Sequence, residues 1–240
     1  MQFRLSSGKL VNLSYPTLGQ VRQLLLEDEL TNDVINKFVE KSVGEPIGDF
    51  YVIDRDAAYW MLIAMLCRGN LTMRAYCSEC REDMVFNLDF TEVAVPEVSE
   101  LEAELELPVS KIKVKLEQPK VKDLEGLVDI TDEDLIKIYL KSDIGAIEDL
   151  PYIDYLAILA KILSMKVEVE HTFDVSCSKG HLNKVRVGTF NLKTPHTLKT
   201  IISDFWNLVK RGVSFQDFLE MTDKEIDMLK DFYRDGRQDN

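Results

Sequence analysis

Residues 72–90, TMRAYCSECREDMVFNLDF, hold the pair Cys77-Ser-Glu-Cys80 between two strand-like segments. Apolar and polar side chains alternate on both sides of this pair, which is typical of half-buried β-strands. Residues 168–190, EVEHTFDVSCSKGHLNKVRVGTF, repeat the arrangement, with Cys177-Ser-Lys-Gly-His181 in the turn. The sequence therefore predicts two β-hairpins that each carry metal-ligand residue types at the tip.

The chain repeats itself in four segments around these hairpins. VNLSYPTLGQVRQLL aligns with VKLEQPKVKDLEGL at a shift of 103, and TNDVINKFVEKS aligns with TDEDLIKIYLKS at a shift of 100. YWMLIAML aligns with YLAILAKI at a shift of 96, and VFNL aligns with TFNL at a shift of 104. Four matches in the same order favour a duplicated domain over a chance alignment of apolar patterns, and so long a period is not that of a solenoid.

Each half reads as a strand, two helices and a hairpin. Residues 9–14 and 111–117 alternate like strands, and Thr31 and Thr131 have the character of helix N-caps. Residues 57–67 are apolar on all sides, which predicts a helix at the centre of a core. We predict an α+β fold in which two tandem strand–helix–helix–hairpin units, resembling zinc knuckles, pack with pseudo-twofold symmetry and are followed by C-terminal helices.

The predicted domain organisation has four parts. The first repeat with its CxxC hairpin spans residues 1–95, and the second repeat with its CxxxH hairpin spans residues 108–195. Residues 96–107 are predicted to be an acidic linker, because residues 92–107 contain six glutamates and no basic residue. Residues 196–240 are predicted to be a helical extension.

The tips of the two hairpins together offer three cysteines and one histidine: Cys77, Cys80, Cys177 and His181. A Cys3His set is a common composition for a structural zinc site, and a tight turn directs its ligands to one side. A redox CxxC is disfavoured, because the motif lies between strands and does not open a helix. The remaining alternative is a set of vestigial cysteines left by a lost site. We predict a structural zinc ion held by these four residues.

Charge limits the classes of partner. The 42 acidic and 29 basic residues give a formal net charge of −13, which opposes contact with phosphate backbones and with anionic membranes. The longest apolar run is too short to span a bilayer, and the N-terminal residues lack the apolar region of a secretory signal. We therefore expect protein partners, with no membrane, no small-molecule substrate and no nucleic acid.

Catalytic signatures are missing from the sequence. It contains no GxSxG, Walker, GxGxxG, HExxH or EF-hand motif, and only three histidines. We therefore predict a protein that is not an enzyme, and an unrecognised hydrolase remains an alternative. The basic residues near the second turn leave another alternative, a zinc-containing nucleic-acid-binding or regulatory adaptor. These residues are Lys179, Lys184, Arg186 and Lys193.

The C-terminal extension carries an aromatic stripe that is a candidate partner-binding surface, because aromatic side chains are favoured anchors at interfaces. Its members are Phe205, Trp206, Phe215 and Phe218. Packing of the same residues onto the body of the protein is the equally open alternative.

The assembled pattern resembles the T4-type bacteriophage baseplate hub assembly protein family. The resemblance is carried by the opening SSGKLVNLSYPTLGQVRQLLLED, by the cysteine hairpin ending RAYCSECREDMVFNLDF, and by the closing VSFQDFLEMTDKEIDMLKDF. It implies a non-enzymatic assembly or structural adaptor protein whose partners are other phage tail and baseplate hub proteins. It also implies a location in the host cytoplasm during assembly and in the tail baseplate of the virion.

Overall fold

The structure is a computed structural model, and it describes residues 2–26, 30–66, 70–89, 98, 100–127 and 130–189 together with six single positions beyond them. Those positions are Leu208, Ser214, Asp217, Met221, Glu225 and Met228. Within these residues the chain forms five α-helices and four two-stranded antiparallel sheets, so helices and strands are mixed as predicted. No helix in the described ranges has both the length and the apolar character needed to cross a membrane.

The first half begins with a short hairpin and ends with the first cysteine hairpin. Strand β1 pairs with β2, three α-helices follow, and β3 pairs with β4. The bounds are β1 Gln2–Arg4, β2 Leu10–Asn12, α1 Leu18–Leu26, α2 Asn32–Val43, α3 Val52–Leu66, β3 Asn70–Tyr76 and β4 Asp83–Asp89.

The second half follows a similar order and ends with the second cysteine hairpin. Strand β5 pairs with β6, two α-helices and two short 3₁₀ turns follow, and β7 pairs with β8. The bounds are β5 Glu102–Glu106, β6 Lys113–Glu117, the 3₁₀ turn Val121–Leu124, α4 Asp132–Tyr139, the 3₁₀ turn Ile147–Asp149, α5 Tyr152–Met165, β7 Glu170–Ser176 and β8 Leu182–Gly188.

The predicted helix caps are confirmed. The Thr31 hydroxyl accepts a hydrogen bond from the Val34 amide at the start of α2. The Thr131 hydroxyl accepts a bond from the Asp134 amide at the start of α4. The Asp134 carboxylate in turn accepts a bond from the Thr131 amide, which completes a capping box. These caps begin the helices at the same point of each half, because each satisfies an amide that the helix itself leaves unpaired.

Helix α3 lies at the centre of the larger core, as its all-round apolar sequence predicts. Its side chains Ala58, Tyr59, Leu62 and Ile63 are fully buried. Both cysteine hairpins contribute to this same core, through Leu88 of β4 and through Val187 of β8 with its neighbour Val169, and the C-terminal Leu208 joins them. A smaller core in the second half packs β5 and β6 against α4 and α5, with Leu116, Ile136, Ile158 and Ile162 fully buried.

The linker prediction is wrong for residues 102–106, which form β5. Four glutamates from Glu100 to Glu106 alternate with Leu101, Ala103, Leu105 and Leu107, and this period of two builds a strand with one apolar face. Ala103 and Leu107 are buried, while Glu102 forms an ion pair with Lys115 of β6. The acidic residues are the solvent-facing side of a sheet.

The structure also differs from the predicted unit in two ways. Each half opens with a hairpin rather than a single strand, because β1 and β5 precede the predicted strands. Val121, Leu124 and Leu127 have the spacing of a helix, but the chain forms only a 3₁₀ turn over Val121–Leu124. Gly126 has a φ of 76°, a left-handed conformation that stops a helix here.

Matching hydrogen bonds in the two halves correct the register of the sequence alignment. Buried Asp54 near the start of α3 binds the turn of the first hairpin at Ser6, and buried Asp154 near the start of α5 binds the corresponding turn at Val109 and Ser110. At the other end, the carbonyls of Met65 and Met165 accept bonds from Tyr15 and Gln118. Helices α3 and α5 therefore correspond at a shift of 100, and not at 96.

Candidate metal centre

The two cysteine hairpins meet at their tips. Their facing strands pack through Phe86 of β4 and Phe173 of β7, whose ring centroids are 5.8 Å apart. Met84, Cys77, Val175 and Cys177 form a small buried cluster directly beneath the tips. Residues that are 100 apart in sequence are therefore brought to one point.

The four predicted ligands lie in this place. The Sγ atoms of Cys77, Cys80 and Cys177 and a ring nitrogen of His181 all lie within 4.8 Å of one another. The Cys80 and Cys177 sulfurs are 3.8 Å apart, and His181 Nδ1 lies 3.7 Å from Cys77 Sγ and 3.5 Å from Cys177 Sγ. Zn–S and Zn–N bonds of tetrahedral geometry separate two sulfurs by roughly 3.8 Å and a sulfur and a nitrogen by roughly 3.6 Å. The donor set fits one tetrahedral metal ion of the zinc type.

Disulfide chemistry does not explain the arrangement. Cys77, Cys80 and Cys177 are free cysteines. The 3.8 Å between the Cys80 and Cys177 sulfurs is far longer than the roughly 2.05 Å of a disulfide bond. All the ligand atoms come from protein side chains, and such a closed set is typical of structural rather than catalytic metal sites.

Tight backbone turns hold the ligands in place. The Cys77 amide donates to the Glu82 carbonyl and the Arg81 amide to the Cys77 carbonyl, each at 2.9 Å, with Arg81 at a φ of 59°. In the second turn the Cys177 amide donates to the His181 carbonyl at 3.0 Å, and Gly180 has a φ of 82°.

The second turn spans residues 177–181 and the first spans 77–82, so the second is shorter by one residue. The pairing of VFNL with TFNL had implied four additional residues there. That pairing is wrong, because β8 ends at Gly188, before TFNL begins.

The surroundings favour a thiolate at Cys77. Amide hydrogen bonds, first from Cys80 and then from Glu79, outweigh burial and lower the pKa of Cys77 to about 6, with help from Asn183. At Cys80, the Glu82 amide lowers the pKa, but burial and the neighbouring thiols Cys77 and Cys177 leave it raised. The thiolate is the form of cysteine that binds a metal ion, so the site is preorganised around Cys77.

Asn183 joins the two tips and was not identified from the sequence. Its side-chain oxygen accepts bonds of 2.9 Å from both the amide and the hydroxyl of Ser78. Its side-chain nitrogen donates to the His181 carbonyl at 3.0 Å and lies 3.5 Å from Cys77 Sγ. The alternation of β8 could have identified it, because Asn183 lies on the inward-facing side of the strand, together with Val185 and Val187.

A carboxylate faces the far side of the histidine ring. Glu79 Oε2 lies 3.5 Å from His181 Nε2, while Nδ1 of the same ring faces the sulfurs. Such a carboxylate–histidine contact commonly orients a metal-binding imidazole. It fits Nδ1 as the ligand atom.

Two of the four basic residues near the second turn, Lys179 and Arg186, have acidic partners, and Lys193 lies outside the described residues. Lys179 forms an ion pair of 2.8 Å with Glu82, which also accepts a bond from the Ser178 hydroxyl. Arg186 pairs with Glu168 and Glu170. These pairs neutralise charges that the nucleic-acid alternative requires.

The predicted aromatic surface at Phe205, Trp206, Phe215 and Phe218 lies outside the described residues. Two described residues of the same extension, Leu208 and Met221, pack on the larger core. The Ser214 hydroxyl accepts a hydrogen bond from the Asp217 amide in the manner of a helix cap.

The family model described as T4 bacteriophage base plate protein matches residues 1–194. No curated protein and no solved structure matches the chain.

Proposed function

Because the chain belongs to the T4 bacteriophage base plate protein family, we propose that it acts in the baseplate hub as a non-enzymatic assembly or structural adaptor. In this role it works through protein–protein contacts with other tail and baseplate hub proteins. It acts in the host cytoplasm during assembly and then in the baseplate of the tail. The family match supports a location in the baseplate. The all-protein ligand set of the candidate metal centre supports a structural role over a catalytic one.

The observation that carries this proposal is the convergence of Cys77, Cys80, Cys177 and His181 on one point. A zinc ion held there supplies a cross-link between two hairpins that belong to different halves of the chain. It gives a small two-core protein a rigid arrangement, which a scaffold needs in order to present surfaces to its neighbours.

Duplication is the second part of the proposal. The first repeat, residues 1–95, and the second repeat, which β5 extends to residues 102–195, are proposed to descend from one unit and to be followed by the extension 196–240. Support comes from the paired caps Thr31 and Thr131 and from the paired buried carboxylates Asp54 and Asp154. Two related modules in one chain suit an adaptor that contacts two neighbours. The aromatic residues Phe205, Trp206, Phe215 and Phe218 are proposed as a further contact surface.

Metal analysis tests the cross-link. Purified protein is expected to contain about one zinc ion per chain, and the double variant Cys77→Ser with Cys177→Ser is expected to lose it and to unfold at a temperature lower by about 10 °C or more. His171→Asn is the matched control, because His171 lies on β7 outside the ligand set. Wild-type protein that is free of metal, yet as stable with a chelator as without it, would contradict the zinc proposal.

Reconstitution tests the adaptor role. The full chain is expected to form a complex of defined stoichiometry with at least one purified hub or baseplate protein of the same phage, as measured by light scattering after gel filtration. Binding to DNA with a steep dependence on salt, and to no baseplate protein, would instead favour the nucleic-acid adaptor.

A further inference from the structure

One face of helix α5 carries an exposed apolar stripe. Ile153, Leu156, Ala160 and Leu163 follow the spacing i, i+3, i+7 and i+10, so they lie on one side of the helix and form what we call the α5 stripe. Ile153 is 59% exposed, Leu156 42% and Leu163 58%. The opposite side of α5 is buried in the smaller core through Ile158 and Ile162. The helix is therefore apolar on a side that its own core does not use.

The corresponding face of α3, in the first half, is buried rather than exposed. At a shift of 100, its residues are Ile53, Asp56, Trp60 and Ile63. Ile53, Trp60 and Ile63 are buried, and the Trp60 indole donates a 3.1 Å hydrogen bond to the Thr189 hydroxyl just after β8. This face is therefore buried, and it bonds a residue that directly follows the hairpin β7–β8 of the other half.

The composition of the α5 stripe is that of a contact surface. Leu156 and Leu163 stand where α3 has Asp56 and Ile63, so the exposed face has lost its one polar position. Tyr152, 73% exposed, stacks on Tyr155 at the N-terminal end of the stripe. Contiguous exposed apolar side chains on a highly charged protein typically mark a site of protein association.

The surroundings of the N-terminal end of the stripe are acidic. Glu148 and Asp149 precede α5, and Asp132 and Glu133, at the start of α4, act electrostatically on Tyr155. Bases elsewhere along α5 are already engaged, since Lys161 pairs with Glu100 and Lys166, at the C-terminal end, pairs with Glu168, while Lys111 faces Asp154 near the N-terminal end.

We propose that the α5 stripe is a docking site for a different baseplate protein that presents an apolar ridge flanked by lysine or arginine residues. This inference rests on the proposed baseplate function and names one surface for it. A second copy of the chain is a poorer occupant, because each copy has a net charge of −13 and would bring acidic ends together. A basic rim instead complements the acids beside Tyr155 and steers the two proteins together.

Binding measurements on the full chain test the proposal. The baseplate proteins of the same phage are purified singly and titrated calorimetrically against wild type and against Leu156→Ser with Leu163→Ser. We expect the double variant to bind about tenfold or more weakly, since interface anchors carry most of an affinity. Val85→Ser, which alters an equally exposed apolar residue on β4, is expected to stay within about twofold of wild type.

Charge gives a second measurement. Raising the salt from low to high is expected to weaken the wild-type complex severalfold. Asp132→Asn with Glu133→Gln is expected to weaken it about threefold at low salt and to flatten the salt dependence.

Four outcomes would overturn the proposal. Unchanged binding by the double variant excludes the α5 stripe but leaves the adaptor role intact. Wild-type dimers that the double variant dissociates identify a second copy as the occupant. A large fall in the unfolding temperature of the double variant shows that the chain itself covers the stripe. Failure of the wild type to bind any baseplate protein contradicts the proposed function and the docking site together.

Discussion

The two halves of the chain have similar elements in similar order but bury them differently. Helix α3 is buried on nearly all sides, because it lies at the centre of the larger core and its Trp60 bonds Thr189 next to the hairpin β7–β8. Helix α5 is buried on one side and carries the α5 stripe on the other. The larger core takes side chains from both halves, and the smaller core is built from β5, β6, α4 and α5 with their connecting segments. The first half therefore supplies most of the shared core, while the second half keeps one apolar helix face exposed to solvent.

The second half is nevertheless tied to the first along the chain. The Val52 amide donates to the Pro119 carbonyl and the Val121 amide to the Phe50 carbonyl, both at 2.9 Å. The Tyr51 hydroxyl donates to Glu117 at 3.2 Å. Together with the contacts at the hairpin tips, these hydrogen bonds connect the two halves at two places.

The sharpest test of the comparison sets Trp60→Ala against Leu163→Ala. Trp60 is buried and bonds Thr189 just after β8, and its loss is expected to reduce the free energy of unfolding by about 3–5 kcal/mol. Leu163 is exposed, and its loss is expected to change that free energy by less than about 0.5 kcal/mol. Chemical denaturation of the isolated protein measures both. Equal losses would mean that both helices are covered to the same degree.

Asn183→Ala tests whether the two halves depend on a polar contact between the tips. The change removes the bonds of a partly buried contact with Ser78 and His181, so it is expected to reduce the free energy of unfolding by about 1–3 kcal/mol. Zinc affinity, measured by competition with a chromophoric chelator, is expected to fall by roughly tenfold or more. Lys184→Ala is the control, because Lys184 lies on the outer side of the same strand. Unchanged zinc affinity would show that the four ligands need no such support.

The paired carboxylates distinguish the halves by pH. For Asp154, burial raises the pKa, but the amides of Val109 and Ser110 outweigh it and leave the pKa lowered from 3.8. For Asp54, burial raises the pKa by more than the two bonds from Ser6 lower it. Ionised Asp154 therefore stabilises the fold above pH 3.8, and this contribution is lost as the pH falls through its folded pKa. For Asp54 the pH dependence is reversed. Its protonated form is the one that the fold favours, so its contribution to stability is present below pH 3.8 and is lost as the pH rises through its raised folded pKa.

The measurement is the unfolding temperature of Asp154→Asn and Asp54→Asn across pH. At neutral pH, Asp154→Asn is expected to lower it by roughly 3–6 °C and Asp54→Asn to change it by less than about 2 °C. The difference between Asp154→Asn and wild type should shrink in acid. If the two variants behaved alike at every pH, their different donors would not matter to stability.

The smallest effect is expected at the ion pair between Glu82 and Lys179, which also joins the two tips. Both side chains are substantially exposed, so solvent screens their attraction. Lys179→Ala is expected to change the unfolding temperature by about 1 °C or less. A larger change in the unfolding temperature would mean that this exposed ion pair joins the two tips as strongly as the candidate metal centre does.

Much of the fold was predictable because its signals are local. The threonine caps and the all-round apolar α3 follow from residue type and spacing alone. Strand β5 has a local signal as well, since leucine and alanine alternate with its glutamates, but a segment with six glutamates and no basic residue is equally typical of a solvated linker. The offset between α3 and α5 was misassigned by one helical turn, because apolar helices match almost equally well when they are shifted by four residues.

The sequence by itself determined which residue types stand at the two tips, where the two threonine-capped helices begin, and that the chain is acidic. Only the tertiary structure decided that Asn183 joins the tips, that Asp54 and Asp154 bind hairpin turns, and that one of two similar helices keeps an apolar stripe exposed. The reason is physical. Local pattern fixes how a segment folds, but burial and hydrogen-bond partners depend on which distant segment lies against it, and two segments of similar pattern have different neighbours here.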